Sequence, residues 1–186
     1  MNVSQTITPT DTWTRFTELG AAKDLDTLAE LFRTGSPSAG IDGPTEGQLV
    51  TFTVHPLFDR FAARVTGAWM PWAGKQFHSA TNSGDNLLAR SAKWPARLPW
   101  PTYRMRDAGD RLAAFDFETR VEPGKLDPDT DVLVIDYAPV DSNPRLVIKQ
   151  VRDELVEVAP GAHLGKMLWH HGEDRYSLAA YFALRT

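Results

Sequence analysis

The chain has 186 residues, a formal net charge of −4 and no cysteine. That length suits one well-buried domain and would crowd two, and the missing cysteine removes disulfides, thiolate catalysis and thiolate metal sites together. The 20 basic and 24 acidic residues are mixed along the chain, with no basic block to meet a phosphate backbone, which argues against nucleic acid as a partner. No apolar run approaches the roughly 20 residues of a membrane helix. The first dozen residues, from Met1 to Asp11 and Thr12, carry neither the basic start nor the apolar stretch of a signal peptide. A cytoplasmic protein without a membrane partner is therefore expected.

In chain order, the first third reads helical. Asp24 is placed to cap a helix with Leu25, Leu28, Leu31 and Phe32 as its apolar positions, ending before Gly35. A Ser-, Pro- and Gly-rich loop from Thr34 to Pro44 leads to a β-branched run, Glu46 to Val54, which is a strand candidate. Pro56 then opens a short helix with Leu57, Phe58, Phe61, Ala62 and Val65 on one side. The next stretch, Gly67 to His78, holds Trp69, Trp72, Lys75 and His78 between glycines and a proline.

Beyond it the period changes to two. Phe115, Phe117, Thr119 and Val121 share one face of a strand, and Asp116, Glu118 and Arg120 the other. A turn over Asp107 to Asp110 joins it to a strand with Tyr103 and Met105 on one face, and the opposite Arg104 and Arg106 are set to pair with Asp116 and Glu118. Val132 to Tyr137 is apolar on both faces and reads as a covered strand. Asn143-Pro144 followed by Val147, Val151, Leu155 and Val158, with Pro160-Gly161 at the end, has the spacing of a late helix, on whose surface Lys149 would pair with Asp153. A hairpin closes the chain: His163 to His171, a turn over Gly172 to Arg175, and Tyr176 to Arg185.

These elements predict a mainly β (α+β) fold of about eight antiparallel strands in hairpin order. The expected form is a lipocalin-like barrel or strongly curved sheet, with N-terminal helices and the one late helix. One domain spans 1–186: a helical segment over 1–40, packed on a barrel over 44–186. A barrel of that size just encloses a small ligand.

Three blocks carry a resemblance. Leu31-Phe-Arg-Thr-Gly-Ser-Pro-Ser with Gly43-Pro-Thr-Glu-Gly47, then Trp72-Ala-Gly-Lys-Gln-Phe77, then Ile135-Asp-Tyr137 with Asn143-Pro-Arg145 and Arg152-Asp-Glu154, are similar in layout to the uncharacterised GXWXG-type proteins. Thr45 stands where that family has its first tryptophan. The architecture also resembles the lipocalin- and nitrobindin-like (calycin) barrels, and Gly67-Ala-Trp69 is a Gly-x-Trp of the kind lipocalins carry on their first strand. The resemblance implies a barrel with a pocket and no particular reaction.

The candidate site follows from the aromatics. Four of the six tryptophans lie between residues 69 and 100, where they either close a barrel end or grip a planar ligand. Lys75 and His78 invite acid/base or Schiff-base chemistry, but on a strand Lys75 shares its face with Phe77 and His78 with Gln76, so one cavity cannot take both. Asp136, on the face of Val132 and Val134, would be a buried carboxylate paired with Arg152 or Arg145. No histidine spacing matches a metal site. Among cofactors, only a haem held by one histidine, as nitrobindin-like barrels hold it, stays open, with His163 as its axial candidate.

The leading expectation is a barrel binding an apolar small molecule, lipid- or isoprenoid-like. Trp69, Trp72, Phe77, Tyr103, Phe115 and Phe117 would line it, with His78 or Asp136 as polar anchor. The alternative is an enzyme on the same barrel, an isomerase, cyclase or hydratase, with His78 or Lys75 as acid/base and Asp136 or Asp153 as partner. A third class is an oligomer-forming module whose exposed tryptophans serve as its interface.

Overall fold

The computed structural model describes residues 9–53, 71–93 and 100–186. Trp69, the Gly-x-Trp at 67–69 and the short helix expected after Pro56 lie outside them. The described helices are α1 (Pro9–Ala22) and α2 (Leu25–Thr34). The strands are β1 (Ser36–Pro37), β2 (Gly43–Pro44), β3 (Glu46–Phe52), β4 (Trp72–His78), β5 (Ser83–Ala89), β6 (Arg106–Ala108), β7 (Arg111–Pro123), β8 (Asp131–Asp136), β9 (Val151–Ala159), β10 (Ala162–His170) and β11 (Tyr176–Arg185). Among the described residues no helix is long and apolar enough to cross a membrane.

The strands form one antiparallel sheet in the order β2-β4-β5-β7-β8-β9-β10-β11-β3, with β1 on β9 and β6 on β7. The segment 43–52 nearly closes it into a barrel, because its first residues pair with β4 and the rest with β11. Thr45 makes the joint: its N–H and hydroxyl both donate to the Lys75 carbonyl (2.8 and 2.9 Å), and its hydroxyl accepts from the Lys75 N–H (3.1 Å). Two glycines permit the approach. A Cβ on Gly74, whose φ is +141°, would stand 2.1 Å from the Thr45 carbonyl oxygen, and one on Gly47 would stand 2.6 Å from the Trp72 ring.

The sheet has two apolar faces. Inside, Phe77, Leu88, Phe117, Leu155, Phe182 and Leu184 form the barrel core. Outside, Phe16, Leu28 and Phe32 of the two helices cover Val132, Val134, Val156, Leu164 and Tyr181. Strands β8 to β11 are thus buried on both faces, which is why 132–135 lacks alternation. The Asp24 cap is as expected: its carboxylate accepts from the Thr27 N–H at 3.1 Å, and Gly35 ends α2.

The expected late helix is absent, and β9 stands in its place. Val147, Val151, Leu155 and Val158 match a helical period, yet along a strand Val151, Asp153 and Leu155 turn into the barrel while Arg152, Glu154 and Val156 turn out beneath α2 and the 120s loop. Burial on both faces erases the period of two that would have marked the strand. Asn143 is not a helix cap; its amide donates to the Asp116 and Tyr137 carbonyls (2.6 and 3.0 Å) and ties two loops together. Lys149, expected beside Asp153, donates instead to the Ala138 carbonyl at 3.1 Å.

Candidate functional site

One end of the barrel holds a cavity of about 160 Å³. Its wall is mostly apolar, with Trp72, Trp100, Phe115, Met167 and Phe182 among the lining side chains, and its polar members are Lys75, Asn86, Tyr137 and Asp153. Strand pairing brings those four together. Lys75 on β4 lies opposite Asn86 on β5, and partners directly opposite share a face. Asp153 on β9 lies opposite Ile135 and Met167, both interior, and Tyr137 follows β8 on the interior parity.

The four side chains form one hydrogen-bonded tetrad. Lys75 Nζ donates to Asp153 Oδ2 (2.9 Å), Tyr137 Oη (2.5 Å) and Asn86 Oδ1 (2.9 Å), which uses all three ammonium protons. Tyr137 Oη donates to Asp153 Oδ2 at 2.8 Å, and Asn86 Nδ2 donates to Tyr137 Oη at 3.2 Å. Trp72 Nε1 donates to Asn86 Oδ1 at 3.1 Å. Exposure is 2 % for Lys75, 4 % for Asp153, 4 % for Tyr137 and 7 % for Asn86, so the ion pair is desolvated. Four rings, those of Trp72, Phe117, Tyr137 and Phe182, lie 5.2–5.7 Å from the ammonium.

Burial pushes the Lys75 amine below its ordinary value, against the charge and hydrogen bond of Asp153. Burial, and then the Asp153 charge, push the Tyr137 hydroxyl well above the usual tyrosine range. Asp153 Oδ1 is buried with no hydrogen-bond partner among the described residues, although its neighbour Oδ2 has two. An acceptor left so is expensive unless something else supplies a donor.

Two irregularities aim the tetrad. A bulge in β4, where Trp72 pairs with Leu88 and Gly74 with Leu87, turns the Trp72 indole to the same interior as Lys75, against simple alternation. In β7, Phe115 has φ +54°, a conformation costly for a bulky residue. There its N–H donates to Tyr103 Oη (2.5 Å) and its carbonyl accepts from Asn86 Nδ2 (3.2 Å), which fixes the Asn86 amide.

Of the residues singled out from sequence, Lys75, Trp72, Phe115 and Asp153 line the cavity, as does Trp100, one of the tryptophans expected at a barrel end. Phe77 and Phe117 are buried in the adjoining core, their rings 5.5 Å apart, and Tyr103 stacks on the Phe115 ring at 5.0 Å without reaching the cavity wall. His78 is exposed at the end of β4, 3.6 Å from Asp85, and outside the cavity. Asp136 also lies outside it: on the outer face past the cover of the helices, it accepts from Arg120 Nη1 at 2.9 Å and from the Ala138 N–H at 3.0 Å. The expected partner Arg152 is engaged with Glu122 and Glu154. His163 is buried toward the other end of β10, where Ser38 Oγ is 2.9 Å from Nδ1, and it does not line the cavity. Asn86 and Tyr137 were not anticipated as site residues. The one sequence signal for Asn86 was an amide beside Leu87 and Leu88 in a short apolar run.

No family model matches the chain, and no curated protein matches it. Among solved structures the chain is similar to a crystal structure of a protein from Thermomonospora curvata, with a TM-score of 0.49 and 14% identity over 94% of this chain and 97% of that one.

Proposed function

We propose that the protein binds a small molecule with an apolar body and one hydrogen-bond donor, held in the barrel with the donor against Asp153. The observation that carries this reading is the unpartnered Asp153 Oδ1 on a residue that lines an otherwise apolar cavity. A ligand hydroxyl or amide would satisfy it once the Asp153 carboxylate turns Oδ1 toward the cavity, and the aromatic wall would shed water around the rest. Size narrows the ligand class. A dry cavity of about 150 Å³ accepts benzene, so about 160 Å³ suits one ring or a short branched chain rather than a long fatty acid. The calycin-type barrel expected from sequence is compatible with such a carrier, with the tetrad of Lys75, Asn86, Tyr137 and Asp153 as polar anchor in place of His78 or Asp136.

The test compares benzyl alcohol with toluene, which matches it in bulk but has no donor. At a concentration about 100 times its dissociation constant a ligand stabilises by about 2.7 kcal/mol, which for a chain of this size is a rise in Tm of roughly 5–10 °C. Benzyl alcohol should produce such a rise and toluene a smaller one at equal concentration. No rise with either would overturn the reading, and equal rises would remove Asp153 from it.

A further inference from the structure

We propose that Lys75 is a carbonyl-capturing amine, which condenses with small aromatic or short-chain aldehydes and ketones seated in the cavity to give a protein-bound iminium. The inference rests on the pocket reading above and adds a reaction to it. Three observations carry it. The Lys75 side chain lines the cavity, among four aromatic rings. Proton acceptors stand at hydrogen-bonding distance on two sides, Asp153 Oδ2 at 2.9 Å and Tyr137 Oη at 2.5 Å. Asn86 fixes the Tyr137 oxygen from a third side, and is itself held by the strained Phe115 carbonyl and by Trp72.

The chemistry needs these parts. An ammonium is not a nucleophile; the amine becomes one when it is desolvated and a base can take a proton. Asp153 Oδ2 accepts one proton from the ammonium, and the freed lone pair forms the C–N bond to the carbonyl carbon. The carbonyl oxygen takes up two protons, through Tyr137 and Asp153, and leaves as water. Of the three ammonium protons, two end in that water and one stays on the iminium nitrogen, with Asp153 again a carboxylate beside it. No oxidant or reductant enters. The charged and titratable groups facing Lys75 are Asp153 from β9 and Tyr137 after β8; Asn86 and Trp72 are neutral. A resting tetrad of this kind stores the amine as an ion pair and releases it only when a carbonyl displaces a hydrogen bond.

The experiment is reductive trapping of the full chain with benzaldehyde and cyanoborohydride near neutral pH, followed by peptide mapping. The expected result is one benzyl group on Lys75, acquired at least about tenfold faster than on Lys23 and Lys125, which are exposed. Benzyl alcohol should slow labelling at Lys75 and leave Lys23 unaffected. Tyr137→Phe should slow it several-fold more than it weakens benzyl alcohol binding. Labelling confined to Lys23 and Lys125, in protein that benzyl alcohol still stabilises, overturns this inference and leaves the pocket intact. If benzyl alcohol neither stabilises the protein nor slows labelling at Lys75, both readings fall.

Discussion

Replacing Asp153 by asparagine tests whether the tetrad is held by charge. The substitution keeps the shape and an acceptor for Lys75 and Tyr137 but leaves a buried ammonium without its counter-ion. Charges 2.9 Å apart attract by roughly 5–6 kcal/mol at an effective dielectric of about 20, and much of that offsets the desolvation of the pair. Removing one member of such a pair costs about 3–5 kcal/mol, which for a chain of this size lowers Tm by roughly 6–20 °C. The double variant Lys75→Met, Asp153→Leu removes both charges and should lie within about 1 kcal/mol of the parent or above it. Urea unfolding followed by tryptophan fluorescence measures both. The pH dependence supplies a sign. With the Lys75 value lowered in the folded state, the unfolded chain binds more protons between the folded and unfolded values, so stability rises with pH across that window and levels off near the ordinary lysine value of 10.5. Without the Asp153 charge the folded value drops further, so in Asp153→Asn the rise begins at lower pH and the deficit narrows as pH increases. An Asp153→Asn midpoint within about 0.5 kcal/mol of the parent at pH 7 would show that the pair is not the desolvated ion pair described above.

Gly74→Ala should cost more than about 3 kcal/mol or prevent folding, since the new methyl would sit 2.1 Å from the Thr45 carbonyl at a φ of +141°. Gly40→Ala, at φ +89° with nothing within 4 Å of the methyl, should cost only about 1 kcal/mol, and thermal melting distinguishes the two; equal losses would refute the closure geometry. On the outer face, burial and the Asp127 charge push the Tyr181 hydroxyl up to about 12, against Arg33. The unfolded tyrosine ionises first, so stability should fall as pH rises from about 10 to about 12, and Tyr181→Phe should make that fall shallower while Tyr137 keeps the remainder. Urea midpoints across that range check it; an unchanged slope in Tyr181→Phe would show that Tyr181 is not the group responsible.

Much of the fold is a local property. The Asp24 cap, the β10–β11 hairpin and the alternation of β7 from Phe115 to Arg120 follow from hydrogen-bond and side-chain periods that span a few residues, and these were legible, although Val121, expected on the face of Phe117, is 48 % exposed. The pairing of Arg106 with Asp116, at 2.7 and 2.9 Å, is likewise a consequence of one short hairpin. Strand β9 was not legible, because helices cover one of its faces and the barrel core the other, so its apolar residues satisfy a helical period by coincidence. Among the described residues the sheet has eleven strands against the expected eight or so: β1 and β2 are two-residue pieces too short to leave a pattern, and β5 and β9 were not read as strands.

The site divides in the same way. Strand parity alone separates Lys75 and Phe77 from Gln76 and His78, and it sends Tyr137 and Asp136 to opposite faces. What parity cannot say is which face has water on it. Asp136 looked buried because Val132 and Val134 beside it are, yet the helical cover ends before it and Arg120 meets it at the surface. Lys75 and Asp153 are 78 residues apart in the chain, and they meet because the barrel curls β4 and β9 toward one interior where a lone charge cannot stand. The helix cap, most of the longer strands and the side on which their residues fall depend on neighbours along the chain and could be read from it, with β5, β9 and the bulged Trp72 as exceptions. That a lysine, a tyrosine, an asparagine and an aspartate share one mostly apolar cavity follows from the curling of the sheet, which, unlike any local period, fixes what lies across it.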